Sequence, residues 1–392
     1  MAPTKTVVIV GGSWAGIKTT HAILKGISNV KVILINPSAT HYFNIAAPRI
    51  LAKPTAFAPE KYTFYIPELF EKYNAEIFSF IQGAAQSIDI DGKTVAIATA
   101  AVEGKEAREL VVPFDYLVIA SGSTTLATLG RDSVLAPFKT TGSDDLQSTI
   151  EQAQKTLAEA ETAIIGGAGA VGVEFAGELA EAFQSKKGAS VTLLTNTDRI
   201  LPELKPGASS SADSTLSRLG VKIRTSVMIA GASQDSASKQ WTVTLEGGET
   251  LTADAYISTT GVIPNNSFIP ADLRAGGGWV PIDAEFRVQR QGKDNEKLPI
   301  YAVGDITTLA PRLLNTVAGQ VPVLVANLKA DIEKSTANRR QYSGPGMTTV
   351  VVPIGARSGT GQIWFFVVWG WLVWLVKGRD YFLFMAGSLL RS

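Results

Sequence analysis

The chain has 392 residues, 45% of them apolar and 18% charged, with 36 glycines and 18 prolines, the balance of a folded, turn-rich α/β protein of two or three domains. Its 36 lysines and arginines almost cancel 35 acids, so no broad positive field exists to draw in nucleic acid. Cysteine is absent and histidine occurs only at His21 and His41, which excludes disulfides, iron–sulfur ligation and a redox-active thiol pair and leaves no metal cofactor to expect.

The amino terminus runs from Met-Ala-Pro-Thr-Lys straight into an apolar strand, KTVVIV (5–10), without the order of a signal peptide. A cytoplasmic protein is expected. The strand ends in Gly-Gly; a helical stretch from Trp14 to about Lys25 and a second apolar run, Val30 to Ile35, complete a βαβ unit. Next come a helix-prone segment (Ile66 to Tyr73), strand-like pieces at Ala75 to Phe80 and Ala84 to Ile90, and a strand, Phe114 to Ala120, ending in Ser-Gly-Ser. A second βαβ unit starts at Thr162 with AIIGG, a helical GAVGVEFAGELAEAF and SVTLLT up to Thr195. Two copies separated by roughly 155 residues are homologous nucleotide-binding units, because solenoid repeats recur every 20–50 residues.

After the second copy come Gly220 to Arg224, a hairpin across GASQDSASKQ into WTVTLEGG, and a strand, Ala255 to Thr259, ending in Thr-Gly. FDYLVIASGS and ADAYISTTGV match as crossovers between two dinucleotide domains. The polar stretches 289–297 and 333–346 read as surface loops. Between them LPIYAVGDIT is an apolar strand that terminates in Gly304-Asp305, a carboxylate suited to the ribityl chain of a flavin. The longest apolar run, Trp364 to Val376, has thirteen residues, short of the roughly 18–20 that cross a membrane.

The glycine loops carry the chemistry. Gly167, Gly169 and Gly172 satisfy G-x-G-x-x-G directly after a strand and at the start of a helix. The first permits the tight turn, the second lets backbone approach a pyrophosphate, and the third allows close helix packing, with phosphate at the helix N-terminus. The first loop places Gly11, Ser13 and Gly16 at the same positions, so its middle glycine is replaced. Neither unit ends its second strand in the carboxylate that normally holds a ribose 2′-OH: Asn36 stands in the first, Thr195-Asn196 in the second. Arg199, just beyond, could accept a 2′-phosphate, so NADH and NADPH both stay open.

This order resembles the two-dinucleotide-binding-domain flavoproteins over nearly the whole chain, with two nested Rossmann-type domains. NPSATHYFNIAAPR, GGAGAVGVEFAGEL, PIGARSGTGQI and VKGRDYF are most similar to the apoptosis-inducing-factor-like mitochondrion-associated group, which includes the ferroptosis suppressor protein and borders type II NADH:quinone oxidoreductases. The resemblance implies a discontinuous FAD domain (1–125 and 255–345), an NAD(P)H domain (126–254) and a C-terminal apolar segment (346–392). FAD is then expected at Gly11, Gly12, Ser13, Ala15, Gly16 and Asn36, around Pro48 and Arg49, and at Gly304 and Asp305. The crossover residues Ala120, Ser121, Gly122 and Gly261 join the cofactor contacts, and Gly167, Gly169, Gly172 and Glu174 serve NADH or NADPH. Glu174 is implied near the nicotinamide and Lys377 near the flavin, where a cation stabilises reduced flavin or relays a proton.

Without cysteines, electrons leave from the flavin itself, to a quinone, dioxygen or a small enone or carbonyl. The segment from Trp364 holds four of seven tryptophans, so it is buried, shields an apolar tunnel or enters a membrane interface. An NAD(P)H:quinone oxidoreductase is expected; a flavoenzyme for a specialised metabolite and a slowly turning redox sensor are the alternatives. The expected partner is a quinone or similar electron acceptor, with peripheral membrane contact through 364–392, at the mitochondrial outer membrane or a lipid droplet, and a homodimer as further expectations. Deleting 364–392 should then abolish quinone reduction and spare FAD binding.

Overall fold

The computed structural model describes residues 4–99, 108–293, 296–344, 346 and 349–392. Residues 294 and 295 of the first polar loop, 345 of the second and 1–3 of the amino terminus lie outside them. Two parallel sheets organise the chain. The larger has seven strands in the order Ile300–Ala302, Tyr116–Ile119, Lys5–Val10, Val30–Asn36, Phe78–Asp89, Thr94–Thr99 and Glu109–Pro113. The first five are parallel and the last two are antiparallel. The smaller runs Lys222–Arg224, Ser190–Leu194, Thr162–Gly166 and Ala255–Ser258, parallel throughout. This is the expected α/β fold of two Rossmann-type units.

Continuous apolar runs such as Val7-Val8-Ile9 are fully buried because helices and crossovers cover both faces of a parallel sheet. The two units repeat one hydrogen-bonding scheme. Gly11 N–H donates to Ile35 O and Ala120 N–H to Val10 O; Gly167 N–H donates to Leu194 O and Thr259 N–H to Gly166 O, all at 2.7–2.8 Å. Each glycine loop therefore leaves its sheet at the same point, and each crossover strand returns beside it.

Three expectations change. The pieces at 75–80 and 84–90 form one strand, Phe78–Asp89, whose register shifts between Ala85 and Ser87; the bulge lets one strand pair with Val30–Asn36 and then with Thr94–Thr99. The helix-prone stretch 66–73 keeps only the turn Ile66–Leu69, after Pro67 has set its start. The loop 333–346 is anchored, because Arg339 pairs with Asp331 at 2.5 Å and with Glu285 at 2.7 Å. The hairpin is present as Ile229–Gln234 and Trp241–Leu245 and continues into Thr250–Ala253.

The C-terminal segment is built from an antiparallel ribbon, Thr349–Ile354 with Ser358–Ile363, the turn Gly370–Val373, a π-helical turn Trp374–Gly378 and the helix Leu383–Arg391. No helix among the described residues is long and apolar enough to cross a membrane.

Both histidines are buried. His21 stacks on Phe70 at 4.3 Å and touches Tyr73 Oη through Nδ1 at 3.2 Å; both ring nitrogens of His41 lack a side-chain partner. Burial pulls each down from 6.5 to about 4, so both are neutral in the native state and must charge on unfolding in acid. A depressed folded value means the stability is present above 6.5 and is lost as pH falls toward 4. Urea unfolding at pH 5 should show a loss on the order of 1–2 kcal/mol per histidine relative to pH 7.5; an unchanged midpoint would contradict neutral burial.

Candidate active site

The first loop sits between Lys5–Val10 and the helix Trp14–Gly26. Gly11 has φ +119°, and side chains at Gly11 and Gly16 would overlap the carbonyl oxygens of Ala120 and Gly11. These two glycines close the fold. Ser13 is the helix N-cap, yet its hydroxyl caps nothing. Gly12 N–H donates to Asn36 Oδ1 at 2.7 Å, and Asn36 Nδ2 donates to Ser38 O at 2.7 Å. Asn36 thus fixes the loop, and the carboxylate beside that strand end is Asp144, which accepts from Ser38 Oγ at 2.6 Å and Gln82 Nε2 at 2.5 Å.

Gly304 has φ +79° and approaches Ala15 so closely that a side chain at Gly304 would overlap the Ala15 methyl. Asp305 accepts from Ser123 Oγ at 3.0 Å and Lys139 Nζ at 2.9 Å. Burial opposes its ionisation, but Lys139 and the Ser123 hydroxyl outweigh that and hold the carboxyl below its usual range. The two crossovers are tied to each other: Ser121 Oγ donates to Asn265 O and Asn265 Nδ2 to Ser121 O, both at 2.8 Å. Gly122 and Gly261 have positive φ beside this tie, at +66° and +137°, and face open space.

In the second loop Gly167 has φ +101°, and a side chain at Gly172 would overlap Gly167 O. A side chain at Gly169 would meet nothing within 4 Å. Gly169 is the N-cap of Ala170–Phe183, so this space lies at the positive end of a fourteen-residue helix. An open cradle there, a matching loop at Gly11 and a half-buried carboxylate at Asp305 fit two dinucleotides.

On the same helix Glu174 is 3% exposed and accepts from Lys377 Nζ at 2.5 Å. Burial pushes its carboxyl up, and Lys377 offsets that only in part. One turn later Glu178 is fully buried. Its Oε1 accepts from Arg49 Nε at 3.0 Å, Arg49 Nη2 at 2.7 Å and Tyr381 Oη at 3.0 Å. Lys53 Nζ lies 2.7 Å from Oε2, a charge contact without hydrogen-bond alignment. Arg49 Nη1 donates to the carbonyls of Gly378 at 2.6 Å and Arg379 at 3.2 Å.

Arg49, expected near the flavin, is engaged within the protein. Its guanidinium is spent on Glu178 and on the backbone that follows Lys377, and Pro48 beside it is buried at the start of Ala47–Ala52. Arg199 Nη2 likewise donates to the carbonyls of Pro202 and Leu204. Lys139, Asp144, Glu178 and Tyr381 are the residues that sequence reasoning missed. Glu178 had a signal, its one-turn spacing from Glu174; the others reach the site from far along the chain.

Residues 5–323 match the family model of the pyridine nucleotide-disulphide oxidoreductases. The chain belongs to that family. It is 32% identical to the oxidoreductase phnG of Penicillium herquei over 98% of this chain and 95% of that one. It is 26% identical to human ferroptosis suppressor protein 1 over 98% and 96%, which agrees with the group that the sequence runs resemble. Its fold matches the sulfide:quinone oxidoreductase of Aquifex aeolicus with TM-score 0.75 and 17% identity, over 98% of this chain and 92% of that one. The protein is an NAD(P)H-dependent flavin oxidoreductase with FAD as its second cofactor. Unlike the redox-active disulphide enzymes of its family, it has no cysteine to carry electrons.

The two inner glycines of the second loop separate binding from folding. G169V adds its side chain in open space and should keep the melting temperature while weakening NAD(P)H roughly tenfold or more. G172A drives a methyl into Gly167 O and should cost about 1–3 kcal/mol of stability. Thermal melts and nucleotide titration of both variants check the contrast.

Proposed function

We propose that this protein is an FAD-dependent NAD(P)H:quinone oxidoreductase that meets its acceptor at an apolar surface. Residues 1–125 and 255–345 hold FAD in this reading, 126–254 hold NAD(P)H, and 346–392 cover the flavin and acceptor side. When bound, FAD takes a hydride from the nicotinamide and releases two electrons to the acceptor. Gly11, Gly16 and Asn36 shape its loop, Asp305 receives ribityl hydroxyls, and Gly167, Gly169 and Gly172 cradle the nicotinamide nucleotide.

The observation that carries the reading is the continuity between Lys377 and an exposed aromatic surface. Phe365, Phe366, Trp369, Trp371 and Phe384 are 60–72% exposed, and Trp374, Leu375 and Val376 lead directly into Lys377, which reaches Glu174. A neutral quinone takes up two electrons and two protons. The hydride supplies both electrons and one proton; Lys377 Nζ is placed to deliver the second, with the Glu174 carboxyl, raised by burial, as its reservoir. Arg49 and Tyr381 position Lys377 and do not touch the acceptor.

An aromatic surface with Lys205 over Phe365 and Arg379 over Phe384 suits the boundary of a lipid phase, where tryptophan concentrates and cations meet headgroups. In this reading the protein works from the cytoplasm at an intracellular membrane or lipid droplet. The solved sulfide:quinone oxidoreductase, named for a quinone acceptor, supports it as an example of the same fold.

Anaerobic stopped-flow absorbance tests the mechanism. K377M should slow reoxidation of the reduced flavin by ubiquinone analogues roughly 10²-fold, while leaving flavin reduction by NAD(P)H within about threefold. Equal reoxidation rates would remove Lys377 from proton delivery. The triple variant F366S/W369S/W371S should lose co-sedimentation with anionic vesicles and turnover of long-tailed quinone, and keep that of a short-tailed one. Unchanged vesicle binding with an altered sedimentation coefficient would assign the surface to a homodimer instead.

A further inference from the structure

Beyond the strand end that carries Thr195, the smaller sheet opens into a cavity of about 380 Å³ lined by Asn196, Ser226, Val227, Met228, Leu245, Glu246 and Glu249. It stands at the C-terminal ends of the parallel strands, on the same side as the cradle at Gly169. Ser226 N–H donates to Thr197 O at 2.8 Å and Val227 N–H to Thr195 O at 2.9 Å, so this wall is rigidly joined to the strand end. In a Rossmann unit that is where the adenosine half of the nucleotide lies, with its ribose 2′-position toward the residue after the second strand.

The charged residues that line the cavity have one sign. Glu246 and Glu249 line the cavity, and no lysine or arginine does. The two arginines that could have answered a phosphate are both engaged. Arg199 is held by the carbonyls of Pro202 and Leu204. Arg224, whose own carbonyl accepts from Thr195 N–H at 3.0 Å, forms a bidentate pair with Glu249 at 2.7 and 2.8 Å. Asn196 and the neighbouring Thr195 offer neutral groups that suit a hydroxyl.

We propose that the adenosine end of the nucleotide site selects NADH against NADPH. Glu246 repels a 2′-phosphate, and Glu249 keeps Arg224 from pairing with one. This rests on the reading that the Gly167–Gly172 loop holds the nicotinamide nucleotide. Discrimination here is by repulsion and by withholding a cation, not by the ribose-binding carboxylate that the second strand lacks.

Two measurements on the FAD-loaded protein test it. Anaerobic flavin reduction gives the second-order rate with each nucleotide, and calorimetry compares ADP-ribose with its 2′-phosphate, a readout independent of turnover. Wild type should favour NADH and ADP-ribose by roughly tenfold or more. Glu249→Gln frees Arg224 and should raise the NADPH rate and the 2′-phosphate affinity about fivefold to tenfold, with NADH changed less than about twofold. Glu246→Gln should move both in the same direction by a smaller factor. The Glu249 side chain is 53% exposed, so its loss leaves folding intact. Equal use of the two nucleotides by wild type overturns the proposal, and so does preference retained unchanged in both variants. If neither nucleotide reduces the flavin, the nucleotide-site reading itself has failed.

Discussion

The buried pair of Arg49 and Glu178 holds the other parts of the site in register. The side chains are 7% and 0% exposed, and two charges taken out of water are costly unless nearly every polar atom finds a partner. Here the guanidinium meets one carboxylate and three carbonyls, and the carboxylate meets Arg49, Tyr381 and Lys53. Those partners come from Ala47–Ala52, from the helix of the second nucleotide loop, from the turn at Gly355 and from the stretch after Lys377. No one of these segments can shift without stranding a buried charge, which is far more expensive than losing an apolar contact. The pair thus fixes the spacing between the first unit, the second unit and the C-terminal segment, and with it the contact of Lys377 and Glu174.

What the sequence disclosed about this arrangement followed from local necessity. Gly11, Gly16, Gly167 and Gly172 are legible because their backbone angles or close approaches admit no side chain, and in each loop that requirement is written into six consecutive residues. The long β-branched runs and the paired crossovers were legible for the same reason: a strand end, a tight turn and a helix start are neighbours in the chain. Arg49 was legible as a residue of interest, but its pairing with Glu178 was not. Its partner Glu178 lies 129 residues away and Tyr381 lies 203 beyond that; no spacing rule connects them. Lys139 and Asp144 stayed hidden in a linker of unremarkable composition for the same reason. Where local propensity conflicted with tertiary packing, as in the stretch 66–73, packing prevailed.

The C-terminal segment shows how one apolar sequence divides between two tasks. Val373, Tyr381, Ala386 and Leu390 are 0% exposed, and the backbone at Gly378 and Arg379 satisfies Arg49. Other residues of the same stretch, among them Phe366 and Trp369 at 72% exposure, stand in solvent. The helical breaks allow this: a single amphipathic helix keeps one face in and one face out, whereas a strand, a short turn and a π-turn alternate their directions. It follows that removing residues 364–392 cannot separate acceptor contact from folding, since it would also unpair Arg49 and open the core around Tyr381. Substitution of the outward aromatics alone makes that separation.

The absence of cysteine and the geometry at Lys377 bear on each other. A flavoprotein that passes electrons through a thiol pair needs covalent chemistry beside the flavin, and the protein around it must admit a polar dithiol partner. This chain instead carries an exposed aromatic surface next to the largely buried pair of Lys377 and Glu174. In the proposed function such a pair suits an acceptor that arrives uncharged and leaves with added protons, because Glu174, raised by burial, holds a proton more readily than a carboxyl in water and Lys377 is its hydrogen-bond partner. The same burial makes the pair dependent on position, since the hydrogen bond and charge of Lys377 offset part of the cost of burying Glu174. Arg49 pins the two residues after Lys377, so the electrostatic core of the fold and the proton chemistry proposed for the site rest on one set of contacts.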